Sequence, residues 1–174
     1  DLIKKISYRG HKIGLHFSFN SFNNKKAITI ESEKFFKFTK RIALKQSVWG
    51  SRMHFLKWKW PETALYLANT NIDFDSSLCY ADKPGFRCGT CHPYKMYDPV
   101  SQKSIDLIQA PLILMECSMF SNKYMGLQYS QEAYDQIKEL KKACREVEGK
   151  FVILWHNTQL ISKVERNLFI DCIT

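Results

Sequence analysis

Two short apolar runs, one near each end of the chain, finish on a histidine, and this feature constrains the fold more than any other. The first run is GHKIGLH at residues 10–16, and the second is FVILWHN at residues 151–157. A short apolar run that ends in a polar residue is typical of a buried strand whose last side chain reaches the rim of a sheet. In α/β barrels the catalytic groups collect at that rim. Either histidine alone could simply cap its strand, but together they indicate a site.

Strand-like and helix-like segments alternate between these two runs. Residues 1–9 resemble the end of a helix and residues 20–24 a polar loop. The predicted strands are residues 11–16, 48–56, 110–115 and 151–155, and the predicted helices are residues 29–44, 61–69 and 130–147. We expect Tyr134, Ile137 and Leu140 to face inward on the last helix. Alternation of this kind predicts an α/β fold with a parallel sheet or barrel.

Composition indicates one globular domain over residues 1–174. The chain is 45% hydrophobic with only 7 Gly and 5 Pro, which argues against disorder. Its net charge of +9 is typical of an anionic partner or of a lysine-rich solvated surface. Because the lysines are scattered, we expect the second case and no nucleic-acid partner. No apolar run approaches the ~18 residues of a membrane span, so none is expected.

The six cysteines require a separate interpretation. Cys88-Gly89-Thr90-Cys91-His92 fits the C-x-x-C-H pattern of covalent haem attachment. Pro93 and the turn at residues 84–85 disfavour a helix there, which argues against haem and against a thioredoxin-like pair. A zinc ribbon would need a second C-x-x-C. We therefore expect no haem, no obligatory disulfide and reduced, mostly buried cysteines, which favours the cytoplasm while leaving the compartment open.

Four blocks of sequence, in order, resemble motifs of one enzyme family. GHKIGLH is similar to G-H-E-I-G-x-H. The block FDSSLCYADKPGFRCGTCHPYKMYD resembles D-S-S/T-L-x-F/Y-A-D-x-x-G-F-R-x-G-T-x-x-P-F/Y. LMECSM lies where that family has an acidic strand end, and FVILWHN resembles its closing L-x-x-H. The family is that of the polysaccharide deacetylases, metal-dependent carbohydrate esterases with an irregular β/α barrel, and the similarity is greatest to its bacterial surface-polysaccharide branch.

The resemblance implies hydrolysis of an N-acetyl or O-acetyl group on a sugar or polysaccharide. A divalent metal, zinc or a similar ion, would polarise the acetyl carbonyl and activate water. His16 matches the first metal-binding histidine. The usual second histidine falls at Asn20, a weak ligand, so His54 could replace it. His156 matches the general acid that protonates the leaving group.

The resemblance also assigns supporting roles. Arg87 matches the arginine near the catalytic aspartate, although Arg52 could take that part instead. Glu116 or Asp75 could orient these groups, and His11 matches a buried structural position. The residues expected to contact the substrate are Arg52, Tyr94 and Trp155. We expect the side chains at the strand ends to share one rim.

One departure from the family pattern weakens the expected activity. The family's first motif, an aspartate pair at the end of the first strand, supplies the catalytic base and a metal ligand. Nothing before Gly10 resembles that strand. We therefore expect an N-terminally incomplete barrel that lacks its first strand and that hydrolyses poorly as it stands.

Two other classes of function stay open. A non-catalytic carbohydrate-binding protein, or a degenerate deacetylase, could hold a glycan on Trp58, Trp60, Tyr94 and Trp155. A nucleic-acid binder has only the net charge in its favour. The metal-to-protein ratio separates an enzyme from a binding protein, because an enzyme of this kind holds about one divalent ion.

Overall fold

The computed structural model describes residues 2–174, which form two compact units. Unit 1 comprises the chain up to Ser77 together with Tyr94–Ala110, and unit 2 comprises Leu78–Pro93 together with Pro111–Thr174. Both units mix helices with mostly parallel strands, which confirms the predicted α/β class. The barrel and the single domain stay predictions.

Unit 1 is built on a five-stranded sheet. Its strands are β1 (Leu15–Phe17), β2 (Gly50–Met53), β3 (Phe74–Asp75), β4 (Tyr94–Asp98) and β5 (Lys103–Gln109), in the order β1-β2-β3-β5-β4. Its helices are α1 (Leu2–Tyr8), α2 (Lys25–Arg41) and α3 (Glu62–Ala68). All neighbouring strands are parallel except β4 and β5, which are antiparallel. The parallel register therefore brings the carboxyl ends of β1, β2 and β3 to the same edge.

Local interactions explain where the first elements begin and end. Helix α2 begins four residues earlier than predicted, because the Asn24 side chain accepts a hydrogen bond from the Ala27 amide and caps the helix there. Strand β2 is shorter than predicted. It ends at Met53, and residues 54–56 form a single helical turn in which Phe55 and Leu56 have φ of 54° and 53°.

Gly50 is the residue that the close packing of the unit 1 sheet requires. A Cβ atom at this position would lie 2.3 Å from Cζ of the neighbouring Phe74 ring. The absence of a side chain therefore lets Phe74 of β3 lie across the start of β2. The core of the unit surrounds this sheet and includes Phe17, Met53, Leu67, Met96 and Leu107, all of them almost fully buried.

Unit 2 pairs two parallel strands, β6 (Leu112–Met115) and β7 (Val152–Leu154). Its helices are α4 (Glu116–Phe120), α5 (Gln131–Glu146) and α6 (Lys163–Ile173). The predicted helix over residues 130–147 is confirmed as α5, with Ser130 as its N-cap. Ile137 is buried in the apolar cluster of this unit and Leu140 packs against that cluster. Tyr134, which was expected to face inward, is exposed instead.

Five elements lie outside the sequence prediction, namely β3, β4, β5, α4 and α6. The β4–β5 hairpin makes the larger sheet mixed rather than purely parallel, and α6 forms where no helix was predicted. The irregular segment around Cys88 and Cys91 contains no helix, as Pro93 predicts. None of the six cysteines forms a disulfide, and four of them are buried. Within residues 2–174 no helix is both long enough and apolar enough to cross a membrane.

Candidate functional site

The strand ends of unit 1 bring two predicted metal ligands into direct contact. His16 of β1 and His54, which follows β2, lie with Nε2 and Nδ1 3.0 Å apart. Nδ1 of His16 lies 2.9 Å from the main-chain carbonyl of Arg52. The pairing of His16 with Arg52 in the β1–β2 register explains this geometry, because it aligns the two strand ends. The structure therefore brings together the two histidines that the resemblance names as metal ligands, and their metal-binding role stays a prediction.

The hydrogen bonds of this histidine pair define its tautomers. A carbonyl oxygen can only accept, so Nδ1 of His16 carries the proton that it donates to Arg52. Nε2 of neutral His16 then accepts from Nδ1–H of His54, which leaves Nε2 of neutral His54 as the unprotonated nitrogen. The pair therefore ends in a lone pair, which is the form in which histidine binds metals or accepts protons.

The pair supplies two donors for a zinc ion. Two nitrogens bound to one tetrahedral zinc at about 2.0–2.1 Å lie about 3.3 Å apart, close to the observed separation. The side chain of Asn20 is exposed and makes no hydrogen bond within residues 2–174. No third histidine, cysteine or carboxylate completes the set among those residues. His11, which was expected to be buried, is exposed.

Asp75 at the end of β3 is the buried carboxylate of unit 1. It accepts hydrogen bonds from the Ser51 hydroxyl and the Ser77 amide, both at 2.7 Å. Burial raises its pKa to about 6, although these bonds and the charge of Arg52 act in the opposite direction. Arg52 directs its Nε–H to the carbonyl and hydroxyl oxygens of Ser76, at 3.1 and 3.2 Å. Asp75 therefore sits in a network of hydroxyl and amide donors at the sheet edge.

The carboxyl ends of the two strands of unit 2 bring a carboxylate and a histidine into contact. Glu116 follows β6 and is fully buried, whereas the His156 side chain, which follows β7, is 50% exposed. Oε1 of Glu116 accepts hydrogen bonds from Nδ1 of His156 and from the His156 amide, the latter at 3.2 Å. Because β6 and β7 are parallel neighbours, their carboxyl ends place these residues together. Glu116 therefore fixes the orientation of the His156 ring.

Cys117 joins this pair, and sequence reasoning did not assign it a role. Its Sγ lies 3.2 Å from Oε1 of Glu116 and 3.7 Å from Nδ1 of His156. Burial and the neighbouring Glu116 raise the pKa of the thiol to about 11, so it is protonated at neutral pH. Its position directly after Glu116, at the end of an apolar strand, was the signal that could have identified it.

Glu116, Cys117 and His156 could together hold a metal ion. A donor set of one carboxylate, one thiolate and one imidazole suits zinc. Oε2 of Glu116 is buried and has no hydrogen-bond partner among residues 2–174, so an acceptor in this cluster is unused there. To bind a metal, however, the cluster would have to release the thiol proton and the proton between Glu116 and His156.

The remaining predicted site residues occupy separate places. Arg87 is exposed and its Nη1 donates to the Cys79 carbonyl at 2.8 Å. Trp155 is half-buried, and its indole N–H donates to the Gln159 carbonyl at 3.0 Å. Tyr94 is half-buried on β4. His16, His54, Arg52, Asn20, Asp75 and Tyr94 belong to unit 1, and Arg87, Glu116, Trp155 and His156 belong to unit 2.

Comparisons with known proteins give no assignment: no family model, no curated protein and no solved structure matches the chain. The resemblance to polysaccharide deacetylases stays a prediction.

Proposed function

We propose that this protein is a metal-dependent hydrolase that removes an acetyl group from a sugar or polysaccharide, as its resemblance to polysaccharide deacetylases implies. The observation that carries the proposal is the pairing of buried Glu116 with half-exposed His156 at neighbouring strand ends. A histidine oriented by a buried carboxylate is a common source of the proton in acyl-group hydrolysis.

His156 acts as the proton donor. Its Nδ1 side is bound to Glu116, so the opposite nitrogen, Nε2, is the one available to a substrate. When water adds to the acetyl carbon and the C–N or C–O bond breaks, Nε2–H protonates the departing nitrogen or oxygen of the sugar. Glu116 balances the charge of the protonated ring and prevents it from rotating.

A divalent metal, with zinc as the ion that the donors suit, would polarise the acetyl carbonyl and activate the attacking water when bound. His16 and His54 of unit 1 offer two donors for such an ion, because moving the proton that they share from Nδ1 to Nε2 of His54 frees both facing nitrogens. Cys117 is assigned no nucleophilic role in this proposal, since burial and Glu116 raise the pKa of its thiol to about 11.

The test is acetate release from acetylated chito-oligosaccharides by the zinc-loaded protein and three variants. We expect His156→Ala to slow release by roughly 10²–10⁴-fold with its metal content unchanged, the usual contribution of one positioned acid. Glu116→Gln should slow it as well, because the ring loses its anionic partner. Cys117→Ser is the matched control and should retain activity. Full activity of His156→Ala would contradict the proposal.

A non-catalytic carbohydrate-binding protein is the second candidate. The observation that favours it is the two-donor histidine pair, which has no third histidine, cysteine or carboxylate beside it within residues 2–174. The measurement that separates the two is the zinc-to-protein ratio after dialysis against trace metal. About one zinc per chain supports the hydrolase, and no retained zinc together with sugar binding supports the alternative.

A further inference from the structure

We propose that the exposed ring of Phe55 is a stacking platform for an uncharged sugar ring. The proposal deepens the proposed function, because it rests on a sugar as the ligand and names where that sugar binds in unit 1. It does not require that the sugar be hydrolysed. The platform consists of Phe55 and the two rings that contact it, Phe19 and His54. Of these three residues, only His54 was assigned a role from the sequence.

The backbone at Phe55 adopts a conformation that its own packing does not explain. Phe55 and Leu56 have φ of 54° and 53°, a region that bulky residues rarely adopt. Strained non-glycine residues of this kind collect at binding and catalytic sites. The Phe55 side chain is 77% exposed, so little burial offsets the strain. The turn instead holds an aromatic ring in solvent.

Two neighbouring rings contact Phe55. The Phe19 ring meets it at 5.5 Å and 84°, and the His54 ring at 4.9 Å and 66°. Such edge-to-face contacts are specific and stabilising. Phe19 is itself anchored by the Lys57 ammonium, which lies 3.8 Å from its centroid and 4.3 Å from that of Phe22. The platform is therefore preorganised, which lowers the entropy cost of binding.

The charges around the platform favour an uncharged ligand over a nucleic acid. All the cations of residues 52–60 are engaged within the protein. Arg52 bonds Ser76, Lys57 covers Phe19 and Phe22, and Lys59 pairs with Glu62 at 2.7 Å. Binding of single-stranded nucleic acid requires cations that track the phosphates beside the stacking rings. A pyranose needs only an aromatic face and polar groups for its hydroxyls. The exposed amide of Asn20, next to Phe19 in the chain, is one such group.

The experiment is calorimetric titration of the full chain with the N-acetylglucosamine tetramer, with an eight-residue oligothymidylate as the nucleic-acid probe. We expect Phe55→Gly to weaken tetramer binding about tenfold, the size of one aromatic contact. Phe55→Tyr should retain binding. Leu56→Gly is the matched control, because it relaxes the adjacent left-handed residue and keeps the ring. Tyr97→Ala, which removes another exposed ring of unit 1, should also leave binding unchanged.

The thermal midpoint separates a binding role from a structural one. Glycine adopts positive φ without steric cost, and this gain offsets the two ring contacts that Phe55→Gly loses, so the Tm of Phe55→Gly should lie close to that of Leu56→Gly. A Tm of Phe55→Gly far below that of Leu56→Gly would show that the ring mainly supports the fold, and the proposal would fail. Unchanged tetramer binding by Phe55→Gly, no tetramer binding by the parent, or binding of the oligothymidylate alone would also overturn it. Tetramer binding that depends on Phe55 without acetate release would contradict the hydrolase and leave the platform standing.

Discussion

The histidine pair of unit 1 and the Glu116–His156 pair of unit 2 both lie at the carboxyl ends of parallel strands. They differ in the group that forms a hydrogen bond with the histidine. In unit 1, His54 is backed by His16, which donates to a main-chain carbonyl. In unit 2, His156 is backed by the buried carboxylate of Glu116. A carbonyl fixes a tautomer without supplying charge, whereas a carboxylate also balances the charge of a protonated ring.

The difference teaches that a strand-end histidine takes its chemistry from its partner. The unit 1 pair ends in a lone pair, which suits a metal ligand. The unit 2 pair can carry an additional proton, which suits an acid. The apolar runs before His16 and His156 are alike in sequence, so the distinction arises from residues far away in the chain, at Arg52 and Glu116.

The largest expected effect concerns which cluster binds zinc. His16→Ala should abolish zinc binding by unit 1, because it removes one of the two facing nitrogens. Cys117→Ser should retain the metal. Zinc titration in competition with a chelator measures both. If Cys117→Ser lost the metal and His16→Ala retained it, the roles assigned to the two clusters would have to be exchanged.

The second prediction concerns Asp75, the buried carboxylate of unit 1, and the pH dependence of its contribution to stability. Asp75 has hydroxyl and amide partners and a pKa raised from 3.8 to about 6. The folded state thus retains this proton longer than the unfolded state. The contribution of Asp75 is therefore most favourable below about pH 4, declines as pH rises to about 6, and is constant above that. The decline is about 3 kcal/mol.

Asp75→Asn should remove this decline, since asparagine does not titrate. The measurement is the free energy of unfolding in urea for both proteins between pH 4 and pH 7. The difference between them isolates Asp75 from the other carboxylates. A difference that is constant over this range would rule out the raised pKa.

Close packing at glycine provides a third comparison between the units. Gly50→Ala in unit 1 places a Cβ 2.3 Å from the Phe74 ring, and Gly149→Ala in unit 2 places one 2.1 Å from Sγ of Cys91. Each overpacked site should cost about 1–3 kcal/mol. Chemical denaturation gives the cost. Gly89→Ala, where no heavy atom lies within 4 Å but φ is 70°, reports backbone strain instead, a cost that Gly50 and Gly149 do not carry. Losses well below about 1 kcal/mol for Gly50→Ala and Gly149→Ala would show that these sites are not closely packed.

The smallest expected effect is at the helix caps. Asn24 caps α2 through a 3.0 Å bond to Ala27, and Ser130 caps α5 through a 3.3 Å bond to Ala133. Replacing either by alanine should lower stability by about 1 kcal/mol, and by glycine only a few tenths. Thermal unfolding with two probes tests whether each loss stays in its own unit. A single shared transition in both variants would show that the units unfold together.

Sequence periodicity predicted the elements that have an apolar face and a clear cap. Helix α5 was predicted because Ser130 caps it and Ile137 repeats on one face. The pairings of His16 with His54 and of Glu116 with His156 were foreseen in part, because both follow from parallel strand ends. The capping box of Ser162 and Glu165 at the start of α6 was present in the sequence but was not used.

Other features could not be predicted because they arise from tertiary contacts. The left-handed turn at Phe55 carries no glycine to signal it. The hairpin of β4 and β5 was obscured because its turn, at residues 99–102, lacks an Asn-Gly or Asp-Gly pair. Cys117 lies beside His156 only because strands β6 and β7 pair in the folded protein. The raised pKa of Asp75 reflects complete burial, which no local pattern encodes.

The path of the chain between the units has a consequence for how the protein can be divided. Each unit consists of two separate segments, so the polypeptide leaves unit 1 at Ser77 and returns at Tyr94. A fragment that stops at Ser77 would lack β5, the neighbour of β3, and would leave the backbone groups of β3 unpaired at an exposed sheet edge. A fragment that starts at Pro111 would lose the backbone bonds that Leu78 and Gly85 make to β6. Synthesis on the ribosome must therefore proceed past residue 110 before unit 1 has all of its strands. For the same reason, no single cut of the chain separates the two units into complete pieces.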